Sequence, residues 1–228
     1  MKKFLFPILV FILLVSTGLA QKSAKPWSEW SKDEVDKMLD NSPWGHVLTN
    51  TDTSEMTVTF GASGGTFGSR NQALSWNYRI RFFSAKPIRE AFARKVMLAN
   101  PALKPQQLDR FINSDYSESI VIAVTFDSPD RRYVALREEA FGLGTTEKLA
   151  NSVYLEMKDG RRIGLAEYAP PSQDGTGAKF VFPKMVDGKP FVKDDKEIIR
   201  FVADFKNGVA FEYRFKVADM MYDGKLEY

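Results

Sequence analysis

The 228-residue chain contains no cysteine and a single histidine, His46. Without thiols it has no cysteine nucleophile, no disulfide and no zinc site of the cysteine type. One imidazole is too few for a multi-histidine metal centre, and any Ser-His-Asp triad would have to use His46. The chain also lacks the G-x-S-x-G elbow, the P-loop signature and the EF-hand spacing. The sequence therefore identifies no catalytic residue, predicts no metal and no cofactor, and favours a non-catalytic protein over an enzyme.

The N-terminus has the pattern of a secretory signal peptide. Lys2 and Lys3 precede an unbroken apolar run, Phe4–Val15, and Gly18-Leu19-Ala20 provides a small-x-small cleavage site. The alternative is a membrane anchor, because Phe4–Ala20 is close to the shortest stretch that spans a bilayer. We predict a signal peptide at residues 1–20 and a secreted or periplasmic protein, which would not be an integral membrane protein once the peptide is removed.

Charge is nearly balanced over the whole chain but unevenly distributed along it. Removing residues 1–20 takes away two of the 32 basic residues and leaves 30 against 29 acidic ones, so we expect no nucleic-acid partner. Trp27–Glu55 carries seven acids and two bases, whereas Arg70–Lys95 carries seven bases and one acid. The two segments are expected to neutralise each other. The alternative is a basic face containing Arg79 and Arg81 that binds an anionic envelope polymer or lipid head group.

A short amphipathic helix is predicted after residue 31. Ser31 and Glu34 have the spacing of a capping box, and Asn41-Ser42-Pro43 ends the helix. Three tryptophans flank it: Trp27, Trp30 and Trp44. They are interpreted either as anchors that fix the helix to the core or as an aromatic platform that binds a sugar or peptide.

Further elements are predicted between residues 55 and 100. Glu55–Phe60 and Ser75–Phe83 read as strands, and residues 61–68 as a glycine-rich loop. Pro87 is expected to be the first residue of a helix. The predicted apolar side of that helix contains Ile88, Ala91, Phe92 and Val96.

The register of one C-terminal hairpin follows from its apolar residues. Apolar residues alternate along Ile199–Phe205 and again along Val209–Val217. A two-residue turn at 207–208 would place the two apolar rows on opposite faces of the sheet. A three-residue loop, 206–208, pairs residue 203 with 211 and brings both rows to one face, with Gly208 in the left-handed conformation.

Other turns in this half are predicted in the same way. A three-residue loop at Lys158–Gly160 pairs Leu155 with Ile163, and Val186–Gly188 permits a third loop of this kind. Asp223-Gly224 marks one more turn. Pro170-Pro171 through Gly177 is a polar loop that is either a connector or a binding edge.

These hairpins indicate the fold class. An antiparallel sheet with one apolar face must cover that face with a second sheet or with helices. We therefore predict an α+β protein in which N-terminal helices pack on an antiparallel β-sheet and the C-terminal part is β-sandwich-like. The chain divides into a helix-rich part, 27–115, and a β-rich part, 116–228, or forms a single compact domain over 27–228.

Four segments together touch most of the chain that follows the predicted signal peptide. They are Trp27-x-x-Trp30 with Ser42-Pro43-Trp44, Ser84-Ala85-Lys86-Pro87-Ile88-Arg89-Glu90-Ala91, Phe180-Val181-Phe182-Pro183, and Asp219-Met220-Met221-Tyr222-Asp223-Gly224-Lys225-Leu226-Glu227. These segments resemble a family of bacterial secreted proteins that has no assigned activity. The resemblance implies secretion and a single compact unit, and it transfers no catalytic or ligand residue.

The functional prediction is a secreted or periplasmic binding module without catalytic activity. Its partner would be a protein, peptide or glycan bound through sheet edges and exposed aromatic side chains. The alternative is a carboxylate-dependent hydrolase of envelope or extracellular polymers, because such an enzyme needs only two acidic groups. The candidate binding residues are Trp27, Trp30, Trp44, Arg79 and Arg81.

Overall fold

The computed structural model describes residues 25–52, 74–129, 135, 138–206 and 209–228. Several predictions lie outside these residues: the signal peptide, the strand Glu55–Phe60, the loop 61–68 and the conformation of Gly208. Within the described part of the chain, no helix has the length and apolarity needed to cross a membrane.

Helix α1, Lys32–Asp40, begins at the predicted capping box. The Glu34 amide donates to Ser31 Oγ at 3.2 Å, and the Ser31 amide donates to the Glu34 carboxylate at 2.6 Å. Val35 and Leu39 are buried on one side of the helix. At its end Ser42 Oγ donates to the Met38 carbonyl, so local side-chain chemistry fixes both ends of α1.

Helix α2 spans Lys86–Ala99, with Pro87 in the second rather than the predicted first position. Ile88, Ala91 and Phe92 are buried as predicted. The prediction for Val96 is wrong, since 47% of this residue is exposed. Burial is continuous from Pro87 to Ala93 and then stops, which shows that the helix is longer than the surface that covers it.

Six antiparallel strands form the larger sheet in the order β1-β2-β3-β4-β8-β7. The sheet takes strands from both sides of residue 116, so the two parts of the chain share it. Its strands are β1, Asn41–Ser42; β2, Gly45–Asp52; β3, Leu74–Phe82; β4, Ser119–Asp127; β7, Glu167–Ala169; and β8, Ala178–Pro183.

Four antiparallel strands form the second sheet in the order β12-β11-β5-β6. Both predicted registers are confirmed, since Ala203 pairs with Phe211 and Leu155 with Ile163. Gly160 has φ +85°, the left-handed conformation that its loop requires. The strands are β5, Val153–Met157; β6, Arg162–Gly164; β11, Ile198–Asp204; and β12, Ala210–Lys216.

The hairpin at residues 186–188 differs from the prediction. Val186 pairs directly with Lys189, so the loop contains two residues rather than three. Asp187 and Gly188 have φ of 50° and 73°, as in a type I′ turn. Because this hairpin forms a separate two-stranded ribbon with Met185 exposed, no buried apolar row imposes the longer loop. The chain forms two such two-stranded ribbons in its described part. Their strands are β9, Met185–Val186; β10, Lys189–Pro190; β13, Met221–Tyr222; and β14, Lys225–Leu226.

The two large sheets pack face to face around an aromatic core. The ring centroids of Phe82 and Phe215 lie 4.6 Å apart, and those of Phe180 and Phe201 lie 5.4 Å apart. Helices α1 and α2 cover the opposite face of the six-stranded sheet, where Arg81 of β3 contacts both of them. The α+β class and the sandwich-like arrangement are confirmed. The remaining described elements are α3, Asp109–Ile112; α4, Thr146–Leu149; 3-10 turns at Trp27–Glu29, Pro105–Leu108 and Val217–Asp219; and a π turn at Glu138–Gly142.

Candidate functional site

An open cleft lies between β4 and the polar loop that connects β7 to β8. It has a volume of about 420 Å³, which is in the range of small-molecule sites and of pockets for peptide side chains. We call it the β4 cleft. In the described part of the chain, the side chains that line it are apolar except for two hydroxyl groups. The lining residues are Val124, Thr125, Phe126, Phe141, Gly142, Pro171, Ser172, Gly175 and Gly177.

Glycine allows the loop to approach β4 closely. Gly177 has φ +96°, and a Cβ added there would lie 2.3 Å from the Val124 carbonyl oxygen. Asp174 then fixes the turn, because its carboxylate accepts hydrogen bonds from the Thr176 amide at 2.9 Å and the Lys179 ammonium at 2.8 Å. One wall of the β4 cleft is therefore preformed by hydrogen bonds within the loop and by its close contact with β4.

A polar cleft of about 360 Å³ adjoins the β4 cleft and shares Thr125 and Gly175 with it. Arg81 is buried here, and donates to the Leu39 carbonyl at 3.0 Å and to Asp40 at 2.7 Å. Arg79 bridges Asp40 at 3.0 Å and Asp127 at 3.1 Å.

These ion pairs show how the two charged segments of the sequence are related. Asp40 belongs to the acidic segment, whereas Arg79 and Arg81 belong to the basic one, and the three side chains are in direct contact. The predicted mutual neutralisation therefore occurs at this point. Both arginines line the polar cleft, but their charge is already balanced by carboxylates.

The three candidate tryptophans line neither the β4 cleft nor the polar cleft. Trp30 and Trp44 are 8% and 4% exposed, and Trp27 is partly buried against the core. The Trp30 indole donates to the Lys25 carbonyl at 3.1 Å, and the Trp44 indole donates to the Glu227 carbonyl at 2.6 Å. Trp30 and Trp44 also edge a shallow depression on the flank of α1 opposite the polar cleft. This burial is typical of anchors.

His46 is held by aromatic contacts. Its ring stacks on Tyr213 with centroids 4.2 Å apart, and burial lowers its pKa. The hydroxyl groups nearest in sequence have other partners, since Ser42 donates to the Met38 carbonyl and Thr49 donates to Asn77. Neither hydroxyl is placed as a nucleophile that His46 would activate.

A buried polar cluster forms where α2 begins. The Tyr222 hydroxyl donates to the Glu90 carboxylate, and the Lys86 amide donates to Glu227 at 3.0 Å. Burial raises the pKa of Glu90. Three of the segments that carry the sequence resemblance meet here, because Trp44 also packs edge-on against Tyr222. The sequence did not reveal this cluster, since Glu90 and Tyr222 are 132 residues apart and no local pattern links them.

No protein-family model, curated protein sequence or solved structure matches this chain. The resemblance to secreted bacterial proteins therefore stays a prediction. Among the described residues, no group of three or more His, Cys, Asp and Glu side chains is arranged to hold a metal ion.

Proposed function

We propose that this protein is an exported, non-catalytic binding module that holds an apolar segment of a peptide or protein partner in the β4 cleft. The observation that supports the proposal is the combination of an apolar lining with a preformed glycine-shaped wall. A rigid concave site reduces the entropy that binding costs, so modest apolar contact is enough for specific recognition.

The lining favours a peptide over a glycan. The described side chains that line the β4 cleft carry no charge. The Thr125 hydroxyl accepts from Arg81 at 3.3 Å and can still donate to a peptide carbonyl, and Ser172 supplies a second hydroxyl group. Glycan recognition by the three candidate tryptophans would require their ring faces to be open. Trp30 and Trp44 are instead buried, with their indole N–H groups bonded inside the protein.

The hydrolase alternative has less support. It requires two carboxyl groups in one open cleft, one of them available as an acid or nucleophile. Asp36 and Asp40 both line the polar cleft, but Asp40 is bound by Arg79 and Arg81. Two arginine side chains hold this carboxylate in place, which suits a structural role.

Export is supported by the N-terminal pattern of Lys2 and Lys3, an apolar run and a small-x-small site before Gln21. Every core residue in the described part of the chain lies after this segment, so removal of residues 1–20 would take none of them away.

The test uses the protein recovered from the cell envelope or medium, which we expect to begin at Gln21. A hydrophobic fluorophore, 8-anilinonaphthalene-1-sulfonate, and a library of apolar peptides serve as probes. Gly142→Trp should fill the β4 cleft without a clash, because a Cβ at Gly142 meets no atom within 4 Å. We expect probe affinity to fall at least tenfold, the loss of about one well-buried apolar contact.

Gly164→Trp is the matched control. An added Cβ at Gly164 meets only the Ala150 carbonyl, at 3.9 Å. Gly164 does not line the β4 cleft. The control should bind both probes like the unchanged protein. Equal affinity in the two variants would contradict the proposal.

A further inference from the structure

The end of α2 and the loop that follows it are largely exposed. We call residues 94–104 the α2 tip. Val96 is 47% exposed and Leu98 39% exposed, and both are among the large hydrophobic residues that the fold leaves uncovered. Ala99 and Ala102 are also exposed. Aliphatic surface of this kind costs free energy in water and is a common feature of interaction sites.

The charge on the tip has one sign. From Ala91 to Leu108 the chain contains three bases, Arg94, Lys95 and Lys104, and no acid. Lys95 and Lys104 form no ion pair with a described carboxylate, whereas the arginines of β3 are bound by Asp40 and Asp127. The α2 tip therefore combines exposed aliphatic side chains with lysines that form no ion pair with a described carboxylate, although Lys95 also lines the polar cleft that contains Asp36 and Asp40.

The arrangement of the aliphatic residues suits a fluid surface better than a protein groove. Val96 and Leu98 are two positions apart on a helix, so they point about 200° apart around its axis. A rigid partner would need to contact both sides of the helix at once. A lipid surface can surround a protruding end, with aliphatic groups at the acyl boundary and lysine side chains extended to the phosphates.

Hydrogen bonds place the start of the α2 tip near Lys25, the first residue that the structure describes. Arg94 Nε donates to the Trp30 carbonyl at 2.6 Å, and the Trp30 indole donates to the Lys25 carbonyl at 3.1 Å. Ala20, the last residue of the predicted signal peptide, precedes Lys25 by five residues, which span at most about 17 Å. While the apolar run is in a bilayer, the α2 tip is therefore close to the same bilayer.

We propose that the α2 tip is a membrane-contact surface that binds anionic phospholipid. Lys95 and Lys104 contact lipid phosphates, and Val96 and Leu98 enter the boundary between head groups and acyl chains. With few aliphatic groups and three bases the attachment is weak and reversible, comparable to that of a single acyl chain. This surface shares no residue with the lining of the β4 cleft, although Lys95 lines the adjoining polar cleft.

Vesicle co-sedimentation tests the proposal with residues 21–228, which contain the whole described core. Vesicles containing phosphatidylglycerol are compared with pure phosphatidylcholine vesicles at low and high salt. We expect binding to the anionic vesicles alone, weakened by salt. Lys95→Glu with Lys104→Glu should weaken binding at least 25-fold, about fivefold for each lysine lost. Val96→Ser with Leu98→Ser should weaken it about tenfold at unchanged charge.

Two control variants make the same changes at the exposed hairpins. Lys189→Glu with Lys225→Glu alters charge there, and Met185→Ser with Met221→Ser removes exposed apolar groups. Both should bind vesicles like the unchanged protein, and all variants should keep its melting temperature. If the Lys95→Glu, Lys104→Glu variant melts at a lower temperature, Lys95→Gln with Lys104→Gln replaces it. This milder variant should also weaken vesicle binding, but by less.

Several results would overturn the proposal. They are a lack of binding to anionic vesicles, equal binding to phosphatidylcholine, and equal weakening by the tip and hairpin variants. Full competition by inorganic phosphate would also overturn it, because the site would then recognise a free anion instead of a bilayer. Loss of peptide binding in the Gly142→Trp variant with vesicle binding intact would separate the two sites.

Discussion

Glu90 shows that burial can outweigh the hydrogen-bond and ion-pair partners of an acidic side chain. The Tyr222 hydroxyl donates to its carboxylate, and the Lys86 ammonium lies 3.7 Å away, yet burial outweighs both contacts and raises the pKa. The folded state therefore binds a proton at Glu90 more tightly than the unfolded state does. Its contribution to stability is fully present below the ordinary pKa of about 4.5 and is lost as pH rises through the raised value.

The variant Glu90→Gln should remove this dependence, because glutamine keeps an oxygen that accepts from Tyr222 but does not ionise. We expect the free energy of unfolding of the variant, relative to the unchanged protein, to increase as pH rises above about 4.5. Urea unfolding at several pH values measures the difference. Glu29→Gln, a change at an exposed acid, is the control. The same pH slope for Glu90→Gln and the unchanged protein would contradict this account.

The elements that the sequence predicted are those with local determinants. α1 was predictable because Ser31 and Glu34 cap it within one turn. The β11–β12 register was predictable because a shift of one residue would place Phe201 and Phe211 on opposite faces of the sheet, whereas both are buried. The 170–177 loop was not predictable as a cleft wall. Its shape depends on contact between Gly177 and β4, about 50 residues earlier in the chain.

That loop provides a test in which two glycines are compared. Gly175→Ala requires a left-handed backbone at φ +72° but meets no atom, so we expect a loss of stability of about 1 kcal/mol. Gly177→Ala adds a clash with the Val124 carbonyl at 2.3 Å and should lose about 2 kcal/mol more, with weaker probe binding in the β4 cleft. Thermal unfolding measures both values. Equal losses would mean that the close approach to β4 contributes nothing.

At the scale of the whole molecule, the sheet order was beyond sequence reasoning. Alternating patterns identify strands but do not specify that β3 pairs with β4, or β4 with β8, because these pairings join distant segments. The structure places β3 and β4, from opposite sides of residue 116, next to each other in one sheet. One continuous cluster of buried side chains then joins α1 to β11 and β12.

A shared sheet and core should make the chain unfold as one cooperative unit. All four tryptophans lie between residues 27 and 115, so indole fluorescence reports on that part alone.

Phe201→Ala removes a fully buried ring whose aromatic neighbours, Phe180, Phe182 and Phe211, all lie beyond residue 116. We expect it to cost about 3–5 kcal/mol and to lower the fluorescence midpoint in urea by about 1–2 M, together with the circular dichroism midpoint. Val96→Ala, at an exposed position, should leave both midpoints unchanged. If the two parts were independent, the fluorescence transition of Phe201→Ala would stay in place while the circular dichroism transition split in two.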